Sequence, residues 1–175
     1  MALRNTLAWG ALMIGALVIT YTWAPSVGNK ELIAPESRKD AVNFKLTDST
    51  GQEVQLSDYK DKVVLLNFWA TWCGPCEVEI PWFKEFETAY KDKGFAILGI
   101  STDDSGWPTV RAYVETRKMN YRVLLEDSKM PAPYKDIEAI PTTYLIDREG
   151  RIAGTHTGLV SKSVYQDGIE KLLAN

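Results

Sequence analysis

Cys73 and Cys76 are the only thiols in this chain, and they lie in the run Trp72-Cys73-Gly74-Pro75-Cys76, just after the apolar stretch Val63-Val64-Leu65-Leu66-Asn67-Phe68-Trp69. A nearly unbroken run of branched and aromatic residues suits a strand buried on both faces, as in a sheet covered by helices. From Gly74 to about Lys91 the pattern turns helical. Pro75 falls in the first turn, where a missing N–H costs little, and Pro81 falls inside, where a kink is predicted. The cysteines therefore sit where a buried strand hands over to a helix. A sulfur at a helix N-terminus faces unpaired N–H groups and the positive end of the dipole, which favour a thiolate. The second sulfur lies one turn behind it, placed to resolve a mixed disulfide.

Two plainer uses of the cysteines compete with redox chemistry. A structural disulfide closing so small a loop would gain only about 2 kcal/mol of chain entropy, against about 3 for a fifteen-residue loop, so it is a poor staple. A zinc site needs about four ligands, and beyond the two cysteines the chain has one histidine, His156. Its neighbours Thr155 and Thr157 offer no ligand set, and no role is assigned to it. A Cys-x-x-Cys that follows a buried strand and opens a helix is a redox signal.

The helical period separates two glutamates. Steps of three and four place Cys76, Glu79, Trp82, Phe83, Phe86 and Tyr90 on one stripe, and Glu77 with Lys84 and Lys91 on the solvated side. A carboxylate among apolar rings has a raised pKa, and one turn from Cys76 it can exchange a proton with that thiol. Glu79 is thus the predicted acid/base, against the alternative of a surface role, and Glu77 is ordinary surface. Trp69 ends the buried strand and is predicted core. Trp72 abuts the first cysteine and is a candidate for a substrate-facing position.

The run from Asn67 to Cys76, with Glu79 and Pro81, is joined further on by Ile140-Pro141-Thr142-Thr143-Tyr144-Leu145-Ile146-Asp147. On these residues the chain resembles the thioredoxin superfamily, specifically the membrane-anchored TlpA/ResA type of thiol-disulfide oxidoreductase, over residues 40–173. The resemblance implies a thioredoxin-like α/β fold: a central mixed sheet flanked by helices, with an N-terminal β-hairpin and a βαβ insertion. It puts a cis-proline at Pro141, facing the cysteines, and matches Glu79 to the buried glutamate of the ResA-like branch. The substrate-contacting positions are then Trp72, Gly74, Pro75, Ile140 and Pro141. Asn67 stands where a cytosolic thioredoxin carries a buried aspartate, which moves the proton-handling role to Glu79. The resemblance implies no cofactor beyond a redox-active Cys73–Cys76 disulfide. Its clients would be protein disulfides, with the haem-binding cysteine pair of apocytochrome c as one class. The electron donor would be an integral-membrane thiol transporter of the CcdA or DsbD type.

The other segments fit one small α/β domain. Residues 44–47 and 53–56 alternate around Asp48-Ser49-Thr50-Gly51 and read as a hairpin. Residues 95–101 form a second buried strand, 109–118 a helix and 121–125 a short strand. Residues 142–147 and 151–157 flank Arg148-Glu149-Gly150 as another hairpin. Ser161 is placed to cap a last helix with Val164, Ile169, Leu172 and Leu173 on its apolar side.

Residues 6–24 carry no charge and, at about 1.5 Å per residue, span roughly the 30 Å hydrocarbon core of a bilayer. Arg4 precedes them, whereas Lys30 and Glu31 follow only after a polar gap, which places the N-terminus in the cytoplasm and the domain outside. The expected organisation is a transmembrane signal anchor over 1–25, a tether over 26–39 and a thioredoxin-like domain over 40–175. The expected location is the bacterial inner membrane, with the catalytic domain on the periplasmic side. A cleaved signal peptide is the competing reading, since Thr22-Trp23-Ala24 loosely resembles a cleavage site. A net charge of −3 supplies no basic field for nucleic acid. The function expected is reduction of protein disulfides outside the cytoplasm. The alternatives are a disulfide oxidase or isomerase, and a tethered copper carrier using Cys73, Cys76 and His156.

Overall fold

The computed structural model describes residues 32–175. In chain order the elements are β1 (Lys39–Asp40), β2 (Lys45–Thr47), β3 (Glu53–Gln55), β4 (Val63–Trp69), α1 (Gly74–Tyr90), β5 (Phe95–Ser101), α2 (Trp107–Arg117), β6 (Arg122–Leu125), β7 (Thr142–Ile146), β8 (Arg151–Thr157) and α3 (Lys162–Leu173). Six strands form one mixed sheet in the order β1-β8-β7-β4-β5-β6, and β2 pairs with β3 in a separate hairpin. β4 and β5 lie parallel, as do β5 and β6, while β7 runs antiparallel to both β4 and β8. This is the mixed sheet, hairpin and βαβ connection expected from the resemblance. The apolar runs at 63–69 and 95–101 are buried at every position, because helices cover one sheet face and the hairpin side covers the other.

Alternation along the strands divides the core. Val63, Leu65, Trp69 and Ile97 face Phe83 and Phe86 of α1 and Tyr165 and Ile169 of α3. Val64, Leu66, Phe68, Leu98 and Ile100 face Phe44, Leu46 and Val54 of the hairpin, together with Tyr134. The register aligns His156 with Thr143, Thr143 with Asn67, and Asn67 with Gly99, so one row across four central strands is polar or without a side chain. Helix α1 continues through Pro81.

Residues 32–39, the described part of the stretch expected as a tether, lie against the domain: Leu32 packs on the helix-side core, Ile33 N–H donates to Ala153 O at 2.8 Å, and β1 pairs with β8. Arg38 Nη1 pairs with Asp147 Oδ2 at 3.0 Å, locking this segment down with a nearly buried charge pair. Ser161 occupies the N-cap of α3 but makes no side-chain capping bond; its hydroxyl lies 2.9 Å from that of Ser163. The expected anchor, and the tether as far as residue 31, lie outside the described residues. Among the described residues no helix is long and apolar enough to cross a membrane.

Candidate redox site

The chain leaves β4 at Trp69 and is tied down before it reaches the cysteines. Thr71 gives both its donors to Asp103, with its N–H 3.0 Å from Oδ2 and its hydroxyl 2.5 Å from Oδ1, and Ser101 Oγ donates to Oδ2 at 2.7 Å. Thr102 N–H donates to Trp69 O, and Cys73 N–H to Ala70 O. Cys73 then becomes the N-cap of α1, its sulfur accepting the Cys76 N–H at 3.3 Å. A side-chain acceptor at this position satisfies one of the helix's free amides, and an anionic sulfur there meets the favourable end of the dipole. Cys73 and Cys76 are joined in a disulfide. Both are nearly buried, whereas the neighbouring Trp72 is 73% exposed.

The peptide between Ile140 and Pro141 is cis, as the resemblance implied. Thr142 pairs with Phe68, which sets Pro141 at the start of β7, level with the end of β4 that carries the cysteine loop. A groove of about 190 Å³ is lined by Trp72, Glu126, Lys135, Glu138 and Ile140 among others. Gly74 and Pro75 are exposed in the first turn of α1. A larger groove of about 320 Å³ lies beside Val64, Ile146 and Gly150, at the opposite end of the strands from the cysteines.

Glu79 lies one turn into α1 from Cys76 and is 1% exposed. Its Oε1 accepts the Tyr165 hydroxyl at 2.8 Å, and its Oε2 is buried without a direct hydrogen-bond partner. Burial pushes the carboxyl up to about 7, and the opposing pull of the Tyr165 hydroxyl and the Val160 backbone does not restore the ordinary value. Tyr165 is itself held protonated, its phenol raised by burial and by the Glu79 charge. Behind it, Tyr165 Oη lies 3.4 Å from Thr143 Oγ1, which accepts Asn67 Nδ2 at 2.9 Å. Glu77 is on the exposed side and pairs with Arg117.

The chain's own similarities bear on this geometry. The sequence profile of the AhpC/TSA family matches residues 38–155. Thiol-disulfide oxidoreductase ResA of Bacillus subtilis is 33% identical over 159 residues, 90% of this chain and 87% of that protein. The chain belongs to the AhpC/TSA family of thioredoxin-like proteins, among the ResA thiol-disulfide oxidoreductases. ResA of Geobacillus kaustophilus is also 33% identical, over 132 residues and 75% of each chain. A thiol:disulfide interchange protein of the thioredoxin family from Chlorobium tepidum matches in structure with a TM-score of 0.72 and 27% identity, covering 80% of this chain and 99% of that one. The protein is a thiol-disulfide oxidoreductase, and it carries a Cys-x-x-Cys disulfide between Cys73 and Cys76.

Within this ResA-like site, several residues escaped the sequence reading. Asp103 carries the clamp on Thr71, yet in Asp103-Asp104 after a strand it looks like any loop residue. Tyr165 does not stand out beside the apolar Val164 and Leu173, yet the buried stripe of α3 is Tyr165, Gly168, Ile169 and Leu172, with Leu173 packed at its edge. His156, given no role, is 5% exposed and stands edge-on to Tyr165 at 5.4 Å. A signal was present in Asn67: an amide inside an otherwise apolar buried strand demands a polar partner.

Proposed function

We propose that this oxidoreductase reduces disulfides of client proteins on the outer side of a bacterial cytoplasmic membrane. The observation that carries the reading is a Cys73–Cys76 disulfide at a helix N-terminus, with exposed Trp72 beside it and buried Glu79 one turn behind. In the reduced protein the Cys73 thiolate attacks a client disulfide, forming a mixed disulfide and expelling one client thiolate. Glu79 takes the proton of the Cys76 thiol, and the Cys76 thiolate attacks Cys73 Sγ, expelling the second client thiolate. The client gains two electrons and ends as a dithiol; the protein ends as the disulfide seen here. A carboxyl poised near 7 can accept and return a proton at neutral pH.

The uncharged segment at 6–24 supports a single-pass anchor, and an oxidising compartment then requires a thiol donor from within the membrane, of the CcdA or DsbD type. Apocytochrome c cysteine pairs are one client class that fits, with a place in cytochrome c maturation. The Gly-Pro pair between the cysteines, as in thioredoxin, favours reduction over oxidation or isomerisation. Among the described residues no three His, Cys, Asp or Glu side chains converge as a metal site, so the copper-carrier reading gains no support.

The test is the equilibrium reduction potential of the full chain in detergent, in glutathione or dithiothreitol buffers. A reductase lies near or below about −250 mV; a value near −120 mV reverses the direction to disulfide donation.

A further inference from the structure

Both oxygens of the Glu79 carboxyl are buried, yet only one has a side-chain donor. Oε1 accepts from Tyr165, and Oε2 has no direct hydrogen-bond partner. The phenol is braced from three elements: α3 carries it, Thr143 of β7 lies 3.4 Å from its oxygen, and Asn67 of β4 donates to Thr143. One turn further along α3, Gly168 has no Cβ. A Cβ there would stand 2.6 Å from Leu145 Cδ1, so glycine at this point lets the helix approach the sheet closely enough to bring Tyr165 to Glu79.

We propose that Tyr165 is the positioning residue of the proton step: by committing Oε1 to its hydroxyl, it leaves Oε2 as the oxygen that exchanges a proton with the Cys76 thiol. The proposal rests on the reading of Glu79 as the base for Cys76. In that step the S–H bond of Cys76 breaks and an O–H bond forms at Oε2. The sulfur's electron pair makes the bond to Cys73 Sγ, and the electrons of the mixed disulfide leave with the client sulfur. A carboxyl protonated on Oε2 still accepts the Tyr165 hydrogen bond on Oε1, so the same geometry serves both protonation states.

The groups facing this carboxyl are few. Cys76 shares its helix face, and Tyr165 comes from α3. His156 of β8 stands against the Tyr165 ring. The buried hydroxyl of Tyr121, just before β6, feels the Glu79 charge, and the Val160 backbone favours the carboxylate. Of these side chains, Tyr165 is the one that donates a hydrogen bond to the charged form, and such bonds are stronger than neutral ones.

The experiment uses the full chain in detergent micelles with carboxyl-labelled glutamate, following the Glu79 titration by NMR in the oxidised protein. It is paired with the pH profile of mixed-disulfide resolution in the reduced protein. In Tyr165→Phe the carboxylate loses its side-chain donor, so the Glu79 midpoint moves to higher pH. Resolution at pH 7 slows by about fivefold, and the gap closes in alkali. A 3-fluorotyrosine placed at position 165 has a more acidic phenol and moves the midpoint the other way; it also keeps the test alive if the phenylalanine variant does not fold. A Glu79 midpoint that stays put, or moves the same way in both variants, overturns the positioning role even if the melting temperature falls. A Glu79→Gln variant with the parental pH profile would instead overturn the base assignment and the relay with it. The NMR midpoints would still report separately whether Tyr165 sets the state of Glu79.

Discussion

The two faces of the central sheet are built from the same strands and do different work. On the hairpin side, Val64, Leu66, Phe68, Leu98 and Ile100 are apolar and buried without interruption, and Phe68, Tyr134 and Tyr144 pack ring against ring. On the helix side, apolar residues such as Leu65, Leu145 and Ile97 adjoin the row of His156, Thr143, Asn67 and Gly99, above which lie Tyr165 and Glu79. A polar row under helices is tolerated where polar groups find partners: Asn67 donates to Thr143, whose hydroxyl lies 3.4 Å from that of Tyr165, and Tyr165 donates to Glu79. Glu79 Oε2 has no direct hydrogen-bond partner, and an oxygen open in this way suits a proton acceptor. Both faces carry a buried apolar core, and the buried polar row lies on the helix face alone.

Truncating the apolar face tests that division with the largest effect. Phe68→Ala removes a fully buried ring and is expected to lower unfolding free energy by about 4 kcal/mol, read by urea denaturation. The pH profile of disulfide exchange should keep its midpoint, because nothing on that face touches Glu79. A displaced midpoint would show that the faces are coupled through β4 and break the comparison.

Glu79→Gln acts on the other face, with effects of opposite sign on activity and stability. The carboxyl's folded pKa is raised from an ordinary 4.5 to about 7, so between those values the folded protein holds a proton that the unfolded chain has released. The stability linked to this group is complete below about pH 4.5 and is lost as pH rises through about 7, a fall of about 3 kcal/mol. Glutamine stays neutral, so the variant's stability curve should be flatter over this range. In alkali it should exceed the parent by up to that amount while mixed-disulfide resolution slows. Parallel stability curves for the two proteins, measured oxidised, would show that Glu79 is not held protonated by burial.

The sequence made the apolar face easy to read and the polar one hard. Continuous runs at 63–69 and 95–101, the helical stripe after Cys76 and the hairpin around 48–51 are local patterns, and each element forms close to its expected bounds. The polar row depends on register across four strands, including an irregularity between Leu145 and Ile146, and no local pattern encodes that. Tyr165 is equally opaque, because tyrosine on an amphipathic helix can point its hydroxyl outward or into the core. The docked segment from Leu32 has no period, and its hold comes from Leu32, the Ile33–Ala153 bond, the short β1–β8 pairing and a distant ion pair. The cis geometry at Pro141 was legible only through family resemblance, since local sequence leaves most X–Pro bonds trans.

Gly99 offers the smallest and sharpest probe of the row. It sits beside Asn67 with no side chain, and a Cβ built there would lie 3.1 Å from both Trp69 Nε1 and Tyr121 Cε2. Both rings are buried, and neither Trp69 Nε1 nor the Tyr121 hydroxyl has a hydrogen-bond partner, so there is little room for them to give. Gly99→Ala is therefore expected to cost about 1 kcal/mol by overpacking, despite alanine's lower backbone entropy in the unfolded chain. If Tyr121 yields by swinging toward α1, its hydroxyl approaches Glu79 and the pH profile moves; if Trp69 yields, toward Tyr113, which its ring already contacts at 5.4 Å, the profile stays fixed and only stability falls. Measuring both quantities in this one variant shows whether the chemistry of the row ends at Asn67 or extends across β5.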